Sequence, residues 1–150
     1  MLTIRPARPQ DLDALVGLLG ALFSLEADFR PDARRQRRGL ERMMEDPARR
    51  LVLVAERDGT VIGMVTVQLV VSTAEGGDAG LVEDLIVAAP HRGAGVGRRL
   101  LAAADEWAWT RGATRLQLLA DRENALALGF YAAVGWGPTR LVCLRRGGVR

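Results

Sequence analysis

The chain contains no lysine, one histidine, one cysteine and one tyrosine, and aromatic residues make up 5 % of its 150 positions. Each scarcity closes off a class of chemistry. Without lysine there is no Walker A phosphate loop, which needs a lysine after its last glycine. Cys143 alone supports no disulfide framework, and with His91 as the one imidazole no Cys/His metal cluster can be built. A serine triad would have to use His91. No run of about eighteen apolar residues occurs, and Met1-Leu2-Thr3-Ile4-Arg5-Pro6 lacks a charged lead followed by an apolar block, so a cytoplasmic location is expected.

What is present is the composition of a globular domain. Residues of the apolar class make up 49 % and charged residues 26 %. The length suits one domain over 1–150. All 21 basic residues are arginine, and the net charge of +3 suits a polyanionic ligand as well as nucleic acid.

The most informative stretch is Val82-Glu83-Asp84-Leu85-Ile86-Val87, followed by Ala88-Ala89-Pro90-His91 and then Arg92-Gly93-Ala94-Gly95-Val96-Gly97-Arg98-Arg99. An apolar run with two carboxylates at its start reads as a strand, and the glycines turn it into an amphipathic helix. Glycines at 93, 95 and 97 let backbone N–H groups converge where a helix begins, and the flanking arginines add full charges. The guest such a turn accepts is a pyrophosphate. The dinucleotide pattern G-x-G-x-x-G is not matched, and no early βαβ unit surrounds the turn.

Around this stretch, Leu2–Ile4 reads as a short strand, and Asp11 is placed to cap a helix burying Leu12, Leu15, Val16, Leu19, Leu22 and Phe23. A second helix follows Asp32 with Leu40, Met43 and Met44 inward. Leu51–Ala55 and Val61–Val71 form a hairpin through Asp58-Gly59. With the strand of Glu83 and Asp84 three antiparallel strands result, followed by a third helix ending at Gly112, a strand at Leu116–Leu119, a fourth helix over Asn124–Val134 and a last strand at Leu141–Leu144. Cys143 would be buried in that last strand, and His91 exposed in its turn. Trp107, Trp109 and Trp136 read as core or interface residues.

Arg92-Gly93-Ala94-Gly95-Val96-Gly97 resembles the Q/R-x-x-G-x-G/A motif of the GNAT superfamily of N-acetyltransferases. So do Leu85-x-Val87-x-x-Pro90-x-Arg92-Gly93, and Asn124-Ala125 ahead of Phe130-Tyr131-x3-Gly135-Trp136, where Trp136 replaces the family's usual Phe. The order βααβββαβαβ matches over essentially the whole chain. The resemblance implies an α/β fold, a mixed, mostly antiparallel sheet flanked by about four helices. It implies acetyl-CoA as co-substrate, no metal, and acetyl transfer to an amine by direct attack in a ternary complex.

Carried onto this chain, the resemblance places the pyrophosphate against Arg92, Gly93, Ala94, Gly95, Val96, Gly97 and Arg98. The pantetheine arm would lie along the main chain of Leu85, Ile86 and Val87. Asn124 would satisfy cofactor groups or cap its helix, and Tyr131 would protonate the departing sulfur. Glu83 is the expected base, with Asp84 second. Adjacent strand residues point to opposite faces, so one of the two should line the acceptor site directly. The pair looks like that of polyamine acetyltransferases, and Glu26, Phe29, Glu83 and Asp84 would receive a small cationic amine. A protein or peptide acceptor is the first alternative, and an acyl-CoA-binding module without catalysis another. Nucleic-acid binding through Arg34-Arg35-Gln36-Arg37-Arg38 lacks aromatic partners and a recognisable motif. The resemblance also allows a homodimer.

Overall fold

The computed structural model describes residues 1–26 and 28–148, and the chain divides into two compact units, Met1–Leu118 and Leu119–Arg150. The first unit runs β1 (Leu2–Pro6), α1 (Leu12–Leu25), α2 (Ala33–Met44), β2 (Arg50–Arg57), β3 (Thr60–Ser72), β4 (Gly77–Val87), α3 (Val96–Thr110) and β5 (Leu116–Leu118). The strands lie in the order β1-β2-β3-β4-β5, with antiparallel neighbours except for the parallel β4–β5 pair. The β2–β3 hairpin turns at Asp58 and Gly59, whose φ angles of 50° and 80° are the positive pair that a two-residue hairpin loop needs.

Each face of the sheet is covered because each carries apolar side chains at period two. On one face Leu15, Leu18 and Leu19 of α1 and Leu40 of α2 bury against Val52, Val54, Met64 and Ile86. The other face receives α3, with Val96, Leu100, Leu101, Ala104 and Ala108 as its buried stripe. Leu100 lies so close over Gly63 that a Cβ there would approach it to 3.1 Å.

Asp11 does not cap α1. It lies in the 3₁₀ turn Pro9–Asp11, where its carboxylate accepts from the Arg8 N–H at 2.7 Å and from both Nη atoms of Arg5 at 2.8 and 3.0 Å. A forked, charge-assisted pair outcompetes a cap, and the Arg5 guanidinium holds the buried Asp11 carboxyl below its ordinary range. Asp32 does cap α2, accepting from the Arg35 N–H at 3.1 Å.

In the second unit, α4 spans Ala125–Ala133. Gly135, at φ 97°, closes it, with the Trp136 N–H donating to the Tyr131 carbonyl at 2.9 Å. The strand expected at Leu141–Leu144 is not formed. Those residues belong to no regular element, and Cys143 is exposed rather than buried. Apolar, β-branched composition favours a strand only where a neighbour completes the ladder. His91 is half-buried in the 3₁₀ turn Ala89–His91, not exposed. Trp107 is half-buried beneath the Arg111 guanidinium at 4.4 Å, while Trp109 is exposed. No helix among the described residues is long and apolar enough to cross a membrane.

Candidate active site

The site is organised by an irregularity in β4. Thr66 pairs with Glu83 and Met64 with Ile86, so Asp84 and Leu85 together oppose Val65. This is a β-bulge, and Asp84 absorbs it with φ 55°, a left-handed conformation that aspartate tolerates better than most residues.

Two consequences follow from the extra residue. The first concerns the carboxylates. As cross-strand partner of Thr66, Glu83 shares the α1/α2 face of the sheet. Asp84 would alternate to the opposite face in a regular strand. Instead its Oδ2 accepts from the Thr66 hydroxyl at 3.3 Å, and that hydroxyl also donates to the Glu83 carbonyl at 3.1 Å. The expectation that the two carboxylates point apart is therefore corrected, because the bulge cancels one step of alternation.

The second consequence concerns the backbone. The Gly80 N–H donates to Arg115 on the β5 side, whereas the Ala88 N–H donates to Ile62 on the β3 side. The pairing phase thus changes across the bulge. Ile86, one of the three residues expected to offer its main chain to the arm, instead faces β3 and buries its side chain in the core, while Val87 turns its polar groups to the opposite edge, where the Arg92 Nε donates to its carbonyl at 2.8 Å. Leu85, two residues earlier, shares that direction by strand alternation. Along this edge β5 pairs with β4 only over Gly80–Val82, so among the described residues of the first unit the edge from Glu83 to Val87 has no strand partner. It runs about 10 Å from Asp84 to Val87, at ~3.3 Å per residue.

At its end lies the cradle. Gly93 and Gly95 have φ 76° and 80°, and a Cβ built on either would meet nothing within 4 Å. Gly95 is the N-cap of α3 and brings no side chain to cap it, and the first turn holds no acidic residue. The Arg99 N–H bonds back to the Gly95 carbonyl at 3.2 Å, so the N–H groups before it, on Val96, Gly97 and Arg98, are those that helix geometry leaves for an external acceptor. Arg92, Ala94, Arg98 and Arg99 are exposed around them. An anion at such a helix start meets donors, dipole and charge together.

The charge gathered at the bulge is negative. Burial, the neighbouring Glu83 and the charge of Glu26 raise the Asp84 carboxyl to about 6, and the Thr66 hydroxyl opposes them. Burial also raises Glu83, although its side chain stays exposed. Glu26, at the C-cap of α1, thus joins the pair electrostatically, and Phe29, 45 % exposed, packs on Phe23 of α1 with ring centroids 5.3 Å apart. Among the described residues no group of three or more His, Cys, Asp or Glu could hold a metal ion.

In the second unit Asn124 caps α4, its Oδ1 accepting from the Ala127 N–H at 3.0 Å. Tyr131 is half-buried between Phe130 and Trp136, with ring centroids at 5.4 and 6.4 Å. Thr66 had no signal of its own in the sequence. It reads as one more β-branched residue in an apolar run, and its register opposite Glu83 exists only in the sheet.

A strand edge without a strand partner among the described residues of the first unit thus lies beside a glycine-lined helix start, with two carboxylates at a bulge in the same strand. The model of the acetyltransferase (GNAT) family matches residues 18–136. The chain belongs to that family of acetyl-CoA-dependent N-acetyltransferases. An aminoglycoside N(6')-acetyltransferase type 1 of Stenotrophomonas maltophilia is 32 % identical, over 93 % of this chain and 89 % of that protein. An aminoalkylphosphonate N-acetyltransferase of Salmonella typhimurium is 29 % identical, over 89 % and 83 %. A shorter similarity, to an uncharacterized N-acetyltransferase of Bacillus subtilis, spans 39 % of this chain and 24 % of that protein at 36 % identity. Among solved structures, an aminoglycoside N-acetyltransferase in complex with CoA superposes with a TM-score of 0.84 at 20 % identity, covering 98 % of this chain and 95 % of that one.

Proposed function

We propose that this chain transfers an acetyl group from acetyl-CoA to a primary amine of a small cationic acceptor, by direct attack in a ternary complex. The observation that carries the reading is the bulge, which gathers Glu83 and Asp84 on one face, within the field of Glu26, at the far end of the open edge that begins at the cradle. A protonated amine is drawn to that face. The names of two relatives, an aminoglycoside and an aminoalkylphosphonate acetyltransferase, point to small amine-bearing acceptors.

In this reading the cradle of residues 92–98 binds the pyrophosphate, and the edge of Leu85 and Val87 orients the arm. An edge N–H donates to the oxygen that gains charge during attack. Asp84, with its carboxyl near 6, takes the amine proton at neutral pH and so displaces Glu83 as the first choice of base; Glu83 holds the cationic acceptor. The C–N bond forms as the C–S bond breaks, and Tyr131, assigned on its motif, gives its proton to the departing thiolate. Residues 1–150 are proposed as one domain. A cytoplasmic setting, where an exposed thiol such as Cys143 stays reduced, and a homodimer complete the proposal.

The test is thiol release from acetyl-CoA against spermidine, short diamines, amino acids, aminoglycosides and a lysine peptide, with acetyl-CoA binding followed by calorimetry. Turnover of small cationic amines, with an acid limb near pH 6, is the expected result. Turnover of the peptide alone shows a protein acceptor, and binding without any turnover shows a binding module. Tyr131→Phe is expected to lower kcat about 10²-fold with acetyl-CoA affinity unchanged. An unaltered kcat returns Tyr131 to packing among Phe130 and Trp136.

A further inference from the structure

Thr66 is 4 % exposed, in the middle of a strand whose neighbouring positions are apolar. A buried hydroxyl in such a place needs a partner, since leaving it unpaired costs on the order of 1–3 kcal/mol. Its partners are the two groups that define the bulge, the Glu83 carbonyl at 3.1 Å and the Asp84 Oδ2 at 3.3 Å. Asp84 stands in a left-handed conformation, which persists where the surroundings determine it.

We propose that Thr66 is a positioning residue for acetyl transfer: its hydroxyl, donated across the bulge to the Glu83 carbonyl and the Asp84 carboxylate, holds that carboxylate on the acceptor face. The proposal rests on the reading of Asp84 as base. The groups around Asp84 explain why a neutral donor is needed there. Glu83 and Glu26 are both acidic, β3 carries no charged residue, and the one charged residue of α1, Asp13, is paired with Arg37. No cation from these elements steadies the carboxylate, and the Thr66 hydroxyl supplies the opposing, ionisation-favouring interaction.

Thr66→Val keeps the shape and removes the hydroxyl, Thr66→Ser keeps the hydroxyl, and each is made in the natural chain and in the Asp84→Asn background. The primary readout is the pH titration of the Asp84 carboxyl carbon by NMR, identified by its absence in Asp84→Asn, which needs no acceptor. Thr66→Val is expected to move that titration up by about one pH unit and Thr66→Ser to restore it. With a working acceptor, Thr66→Val should lower kcat at pH 7 about tenfold with the KM for acetyl-CoA unchanged. In the Asp84→Asn background it should change kcat less than twofold.

An unmoved titration in a folded Thr66→Val, or equal losses in Thr66→Val and Thr66→Ser, overturns the proposal. Should Thr66→Val not fold, Thr66→Ala is read by the same titration and the same criteria. Full activity of Asp84→Asn alone overturns the base reading instead, and is seen independently of the titration.

Discussion

Asp84→Asn is expected to lower kcat/KM by 10²–10⁴-fold, the contribution of a positioned base, and at the same time to make the protein more stable. The second half follows from the sign of the shift. The folded chain holds the Asp84 proton up to about pH 6, against an ordinary carboxyl value of 3.8, so ionisation removes stability as pH rises through that window. Stability from this group is full below about pH 4 and lost above about pH 6. Asparagine never ionises and tolerates φ 55°, so above pH 6 the variant gains up to about 3 kcal/mol, from roughly two pH units at 1.36 kcal/mol each. Urea unfolding at pH 8 and pH 4 checks this: a gain at pH 8 that vanishes at pH 4 is required. A variant that is inactive yet no more stable at pH 8 shows that Asp84 carries no ionisation cost, and the account of its raised carboxyl fails.

The second large effect is expected at the cradle. Gly95→Val places a β-branched residue at φ 80°, which costs about 1–2 kcal/mol of backbone strain, and sends its side chain into the open space above the first turn of α3. Among the described residues no atom lies within 4 Å of the added Cβ, so the fold is expected to survive. In the proposed function this open space is also the one a pyrophosphate enters to meet the N–H groups of Val96, Gly97 and Arg98. Losing two charge-assisted hydrogen bonds of ~1.5 kcal/mol each corresponds to at least 100-fold in CoA affinity. Calorimetry with CoA measures it directly. Affinity within threefold of the natural chain would remove the cradle from the ligand.

Both predictions concern positions the sequence marked, and they were legible for different reasons. Gly93 and Gly95 stand out because glycine is what positive φ and close approach demand, and the helix behind them shows in the spacing of Leu100, Ala104 and Ala108. The hairpin at Asp58-Gly59 and the glycine ending α4 are likewise local, each settled by a few neighbouring residues. Asp11 misled because capping is a local preference, and its carboxylate is taken instead by both Nη atoms of Arg5 and by the Arg8 N–H. Leu141–Leu144 misled because strand composition does not supply a partner strand.

The sequence by itself determined the family, the glycine turn into a helix, the strand before it and the presence of two carboxylates at that strand's start, because these depend on residue identity and spacing along the chain. Tertiary structure alone decided that Glu83 and Asp84 share a face, that Leu85 and Val87 turn away from β3 while Ile86 joins the core, and that Thr66 stands opposite the bulge. The physical reason is register. A bulge arises where two strands are matched over their whole length, so no window of β4 alone announces it, yet one extra residue reverses the direction of every group beyond it.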